Sequence, residues 1–244
     1  MTRREAYLLA GPTASGKSAA AAILARARGA AILSADSMLV YRGMDLGTAK
    51  PSPAEREEFS MGGVDIVTPA EHFSSGAWLR AAAEWLAALP ADRPVVVVGG
   101  TGLYFSALLR GLDRKWTFPP PEYPVLQMSR ARLHERIESR LDAMFMDGLA
   151  AEVAELRRAY PVWSDTASAA IGYKEFIEGL PIAAVREKIL VRTRQLAKRQ
   201  DTWFRHQSTP MYVSAGVTAE ETAAAVDIAW RSHGPWQISL PSGN

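Results

Sequence analysis

The chain has 244 residues, 48% of them hydrophobic, enough to fill the core of one substantial domain and too apolar for a disordered chain. Its 28 Lys and Arg stand against 26 Asp and Glu, so a net charge of +2 excludes nothing about partners. The absence of cysteine excludes disulfides and thiolate metal sites, and no apolar run is long enough to span a bilayer. We expect a cytoplasmic monomer that does not engage membranes, since the opening "MTRREAYLLAGPT" is basic but carries too short an apolar stretch for a secretory core.

In chain order, residues 5–10 read as a buried strand, residues 16–28 as an alanine-rich helix, and "AAILSAD" (30–36) as a second apolar run ending at Asp36. Residues 76–89 carry Trp78, Leu79, Ala82, Trp85, Leu86 and Leu89 at helical spacing. "RPVVVVGG" (93–100) has the β-branched, wholly apolar character of a buried parallel strand. "GLDRKWTFPPPEYP" (111–124) reads as a linker or extended crossing, because three successive prolines cannot propagate a helix. Beyond it the spacing predicts helices over 129–158, broken at Gly148, and over 181–206, then a short strand at 210–215 and a helix at 218–231. Six basic residues, Arg186, Lys188, Arg192, Arg194, Lys198 and Arg199, crowd residues 186–199 beside a single acid, Glu187.

"GPTASGKS", from Gly11 through Pro12, Thr13, Ala14, Ser15, Gly16 and Lys17 to Ser18, fits G-x-x-x-x-G-K-[ST] between a predicted strand and a predicted helix. Glycines let the loop curl so that backbone amides point inward, Lys17 adds a full positive charge, and Ser18 can hold magnesium. The expected fold class is therefore α/β, a P-loop NTPase-like parallel sheet flanked by helices with a mostly helical C-terminal half. We divide it into a core at 1–112, a Pro-rich linker at 113–128, and a helical half at 129–244 completing the same core. The loop alone suggests nucleotide or ATP binding by a kinase or hydrolase. Yet "VVVV" (95–98) ends in "GGTGLY" without the acid a hydrolase usually places there. Asp36 is either a helix-cap or turn aspartate, or an acid pointing into the crevice of the loop, where Thr101 would also reach.

The segments "GPTASGKS", "SADSMLVYRGMDLGTAKP", "VVVGGTGLYFSALLRGL", "RLHERIESRLDAMFMDGLAAEV", "AIGYKEFIEG" and "TRQLAKRQDTWFR" occur in the order found in bacterial tRNA dimethylallyltransferases, which the chain resembles over most of its length. The resemblance implies transfer of a dimethylallyl group from its diphosphate to the exocyclic amine of the adenine beside the anticodon of tRNA. It makes Asp36 the general base, with Thr101 and Arg194 as further catalytic residues. Gly11 to Ser18 would bind the diphosphate together with Lys198 and Arg199, unless those two contact RNA phosphate. Ser18 would hold Mg2+, and Asp36, Ser37, Met38, Leu39 and Thr101 would touch the tRNA.

Trp203 and Phe204 could stack on a base but are expected to pack a core, and His134 has no metal-ligand companion. Two departures from the family stand out. Met61, Gly62 and Gly63 fall where a paired histidine segment is usual, and the helical insertion that normally follows the position of Gly111-Leu112 is missing. Alternative readings are an adenine-nucleotide isopentenyltransferase, a P-loop kinase or NTPase, and a non-catalytic RNA- or nucleotide-binding relic.

Overall fold

The computed structural model describes residues 4–110, 122–207 and 209–238. The triple proline, the Gly111-Leu112 junction and the expected site of the missing insertion lie outside them. Six strands occur among the described residues: β1 (Arg4–Ala10), β2 (Ala31–Ser34), β3 (Val95–Gly99), β4 (Tyr123–Gln127), β5 (Pro210–Ser214) and β6 (Trp236–Ile238). The helices up to β4 are α1 (Lys17–Arg28), α2 (Pro53–Glu58), α3 (Ser75–Ala88) and α4 (Gly102–Arg110). After β4 come α5 (Arg130–Met146), α6 (Leu149–Ala159), α7 (Asp165–Ser168), α8 (Lys174–Ile177), α9 (Ile182–Gln207) and α10 (Ala219–His233).

The sheet runs β2-β3-β1-β4-β5, all parallel. Along the side of β1 away from β3, β6 takes Arg4 to Ala6 antiparallel, so β4 meets β1 only at Ala10↔Val125. Here the structure corrects the expected linker at 113–128: residues 123–127 are a strand, with Pro124 paired to Met211. Proline can stand there because β1 has no register with β4 before Val125, leaving no ladder bond on that side for the missing N–H to make.

Residues alternate across the sheet with period two, as strands covered on both faces require. Ala6, Leu8, Ala10, Leu33, Val95 and Val97 face a core shared with Trp78, Tyr104, Phe105 and Phe204. Leu9, Ile32, Val96 and Val98 face a second core under α1 and α10. The alanines of α1 explain its position: Ala20, Ala21 and Ala25 are wholly buried, and their small side chains admit a close approach of helix to sheet and to α10. Trp230 of α10 closes this layer by donating its indole N–H to Leu8 O at 2.8 Å.

Where histidines would be usual, the backbone leaves no room for side chains. A Cβ on Gly62 would come within 2.4 Å of the Trp85 ring, and one on Gly63 within 2.4 Å of Ser34 O. Phe204 is wholly buried edge-on to Phe105, and Trp203 meets Phe204 edge-on in turn, so both aromatics pack as expected.

Candidate active site

Because five strands are parallel, their carboxyl ends share one edge, and the turns after β1, β2 and β3 bring the phosphate loop, Asp36 and Thr101 together. Gly16 caps α1 with φ 92°, a left-handed conformation natural to glycine that turns the loop into the helix N-terminus. Lys17 is nearly buried and reaches across the loop to Pro12 O at 3.3 Å. Burial brings its pKa down to about 8, with Asp36 opposing and Arg140 adding to the fall.

Two arginines that sequence reasoning did not assign complete the loop's positive lining. Arg136 Nε donates to Ala14 O at 2.8 Å, and Arg140 donates to Thr13 Oγ1 at 2.8 Å. They lie four apart on α5 and so share a face. Burial lowers the pKa of Arg140, Asp36 raises it, and Arg136 lowers it again. Their spacing within "RLHERIESR" was a usable signal, but nothing in the sequence says which loop that face meets.

Two cavities open around these groups. The first, about 810 Å³, is lined by Lys17, Ser18, Asp36, Leu39, Arg136 and Arg140, among others. The second, about 530 Å³, holds Ser37, Met38, Thr101, Arg199 and Gln200, with an apolar wall that includes Ile137, Leu141 and Met144. Thr13, Asp36, Thr48 and Arg140 line both, so the cavities meet at a carboxylate facing a guanidinium.

Asp36 is at once a turn aspartate and an acid at the crevice beside the loop. Its Oδ1 accepts the Met38 N–H at 3.0 Å in a turn, while the carboxylate stands at the junction of the cavities. Thr101 Oγ1 accepts the Ser37 N–H at 2.9 Å and donates to Ser37 Oγ at 3.2 Å, tying the turns after β2 and β3 together. The following segment is anchored from α6: Glu152 accepts the N–H groups of Asp45, Leu46 and Gly47 and the Tyr173 hydroxyl. Lys50, its side chain wholly buried, pairs with Asp45 and Asp65 at 2.7 Å each.

Arg194 lines neither of these two cavities, and the one that it does line also touches the phosphate loop at Pro12. It lines a third cavity, of about 820 Å³, with Arg130, His134 and Lys198, and its guanidinium lies 3.6 Å from Glu138. The reason is helical phase: Thr193, Leu196 and Gln200 share the face of α9 turned to the second cavity, and Arg194 is rotated about 100° from Thr193. Lys198 lines the third cavity and a surface groove of about 700 Å³ beside Trp203. Only Arg199 of the two uncertain cations reaches the cavity that holds Asp36. His134 faces Arg130 and Arg194, and some burial together with their charges holds its pKa below the ordinary value.

Known proteins match the chain over most of its length. The IPP transferase family model matches residues 39–124 and 119–207, and the isopentenyl transferase model matches residues 4–60. A tRNA dimethylallyltransferase of Thiobacillus denitrificans is 35% identical over 302 aligned residues, covering 92% of this chain and 96% of its own. One from Acidithiobacillus ferrooxidans is 34% identical over 281, covering 85% and 89%. Both alignments are longer than the 244-residue chain, so each relative carries residues with no counterpart here. Among solved structures, the tRNA isopentenylpyrophosphate transferase of Bacillus halodurans superposes with a TM-score of 0.83 at 24% identity, covering 94% of this chain and 96% of that one. The Staphylococcus epidermidis enzyme gives 0.81 at 25%, covering 95% and 100%. By these matches the chain belongs to the IPP transferase family, whose curated relatives are tRNA dimethylallyltransferases.

Proposed function

We propose that the protein transfers a dimethylallyl group from dimethylallyl diphosphate to the exocyclic amine of the adenine on the 3′ side of the anticodon in tRNA. The observation that carries this reading is the meeting of an anion-holding cavity and a half-apolar cavity at Asp36 and Arg140. An NTPase that passes its phosphoryl group to water would not need that second cavity, with its apolar wall of Ile137, Leu141 and Met144 beside a carboxylate.

The diphosphate lies in the first cavity on the loop amides, Lys17, Arg136 and Arg140. As the allylic carbon–oxygen bond breaks, its electron pair leaves with the diphosphate, and this fixed positive charge stabilises the negative charge that develops. The adenine, flipped from its stack, enters the second cavity past Ser37, Met38 and Thr101. Its amine nitrogen forms the new bond to the allylic carbon, and Asp36 takes the proton that nitrogen sheds. Arg199, on the acceptor side, faces RNA phosphate. Arg194 and Lys198 line neither of the two cavities and, in this reading, face the RNA strand.

Magnesium fits the donor set, since Ser18 and Asp36 supply oxygens to one cavity. No cluster of three or more His, Cys, Asp or Glu that could hold a metal exists among the described residues, so the ion would rest largely on diphosphate oxygens and water. Bound there, it would neutralise charge on the leaving group.

The test offers dimethylallyl diphosphate with an anticodon stem-loop RNA or with AMP, and separates products by mass. Prenylated RNA with no prenylated AMP is expected, and Asp36→Asn should cut transfer by about 10²–10⁴-fold while donor binding stays near normal. Product on AMP alone, or near-normal transfer by Asp36→Asn, contradicts the reading.

A further inference from the structure

Gln200 joins two parts of the site that are far apart in the chain. Its Oε1 accepts the Thr13 N–H at 2.8 Å, and its Nε2 donates to Gly100 O at 3.0 Å. The partners fix the amide's orientation, because a backbone N–H only donates and a carbonyl only accepts. Thr13 belongs to the phosphate loop and receives Arg140 at its hydroxyl. Gly100 precedes Thr101, which grips Ser37 next to Asp36.

The contact is close as well as hydrogen-bonded. A Cβ on Gly100 would come within 2.3 Å of Gln200 Nε2, and one on Gly102 within 2.1 Å of the Trp203 ring. α9 therefore lies directly on the turn after β3, and Gln200 is the strut between that turn and the loop after β1.

Building on the prenyl-transfer reading, we propose that Gln200 is a positioning residue that sets the separation of the donor-holding loop from the acceptor-holding turn. Both atoms of its amide are taken up by backbone partners, although its side chain lines the acceptor cavity. It acts through Thr13 on one side and through Gly100 and Thr101 on the other. A shift of about 1 Å between nucleophile and allylic carbon lowers the rate without removing any contact to the diphosphate.

Gln200→Met keeps the side chain's length and removes both hydrogen bonds. At saturating donor and RNA its kcat should fall about 10–100-fold, while the KM for dimethylallyl diphosphate changes less than about threefold. Gly100→Ala, whose Cβ would press on the same amide, should reproduce the split. Hydrogen exchange gives a readout independent of turnover: peptides covering 11–18 and 99–103 should lose protection together in Gln200→Met. A folded Gln200→Met with kcat within about twofold of wild type overturns the proposal, as does unchanged exchange in both peptides. A fall in kcat matched only by a lower folded fraction also overturns it, by showing a purely structural role. Should wild type transfer no prenyl group, the functional reading fails, and exchange alone then decides whether Gln200 couples loop and turn.

Discussion

Lys17 makes donor binding depend on pH in a direction that the structure fixes. Burial brings its pKa down to about 8, so the empty site holds a mixture of charged and neutral amine under mildly alkaline conditions. Only the ammonium attracts a diphosphate. Phosphate ionisation is complete well below that range, so donor charge stays constant while Lys17 titrates. Affinity should be level below about pH 7.5 and weaken about tenfold per unit above about pH 8, reaching about thirtyfold at about pH 9.5. Stability of the empty protein should run the opposite way. A lysine whose folded pKa lies below the ordinary 10.5 opposes folding while it is charged, and the opposition fades as pH rises from about 8 to 10.5. The shift corresponds to at most about 3 kcal/mol. Calorimetric titration with a non-reactive prenyl diphosphate analogue reads the first trend. Thermal unfolding of wild type against Lys17→Met reads the second and cancels the other groups that titrate in that range. Donor affinity that stays flat across this range, or a Lys17→Met variant as steep as wild type, would refute the reasoning.

Arg140→Gln should weaken donor binding and kcat together by about 10–100-fold, because it removes a half-buried charge at the junction of both cavities; Arg194→Gln should leave the donor KM within about threefold, and steady-state kinetics on the pair reveals a reversed assignment at once. Glu152→Ala strands three backbone N–H groups and the Tyr173 hydroxyl, so calorimetry should show a loss of about 2–4 kcal/mol, or about 8 °C in Tm. A change under about 2 °C would mean the 45–47 segment is held by other means. Chelation of magnesium should weaken the prenyl diphosphate analogue about tenfold or more in titration, with Ser18→Ala raising the Mg2+ needed for recovery; indifference to chelation removes magnesium from the donor site.

Much of the fold could be read from residue patterns because its elements are locally marked. Strand β3 is an unbroken valine run, α1 is bounded by Gly16 and Gly29, and α5 and α6 part at Gly148. β4 escaped because "PPPEYPVLQ" carries prolines that argue against a strand, and only the position of β6 along β1 makes Pro124 harmless. β6 itself is three residues long, too short for any period to show.

The site divides along a different line. Lys17, Ser18, Asp36 and Thr101 follow directly from strand ends, and a strand end has a fixed destination in a parallel sheet. Arg136, Arg140, Arg194 and Gln200 lie within helices, where direction depends on the phase at which each helix meets the loop. Sequence periodicity shows that Arg136 and Arg140 share a face and that Thr193 and Gln200 share another. It cannot say which face turns inward, because α9 is basic on several sides and only partly apolar. In the folded chain Ala197 and Phe204 are buried, and that apolar seam sets the phase of α9. The seam turns Gln200 toward the loop and leaves Arg194 against Glu138. The phase of α9, more than the charge of its residues, therefore decides what each side chain meets, and it places the neutral Gln200 between donor loop and acceptor turn.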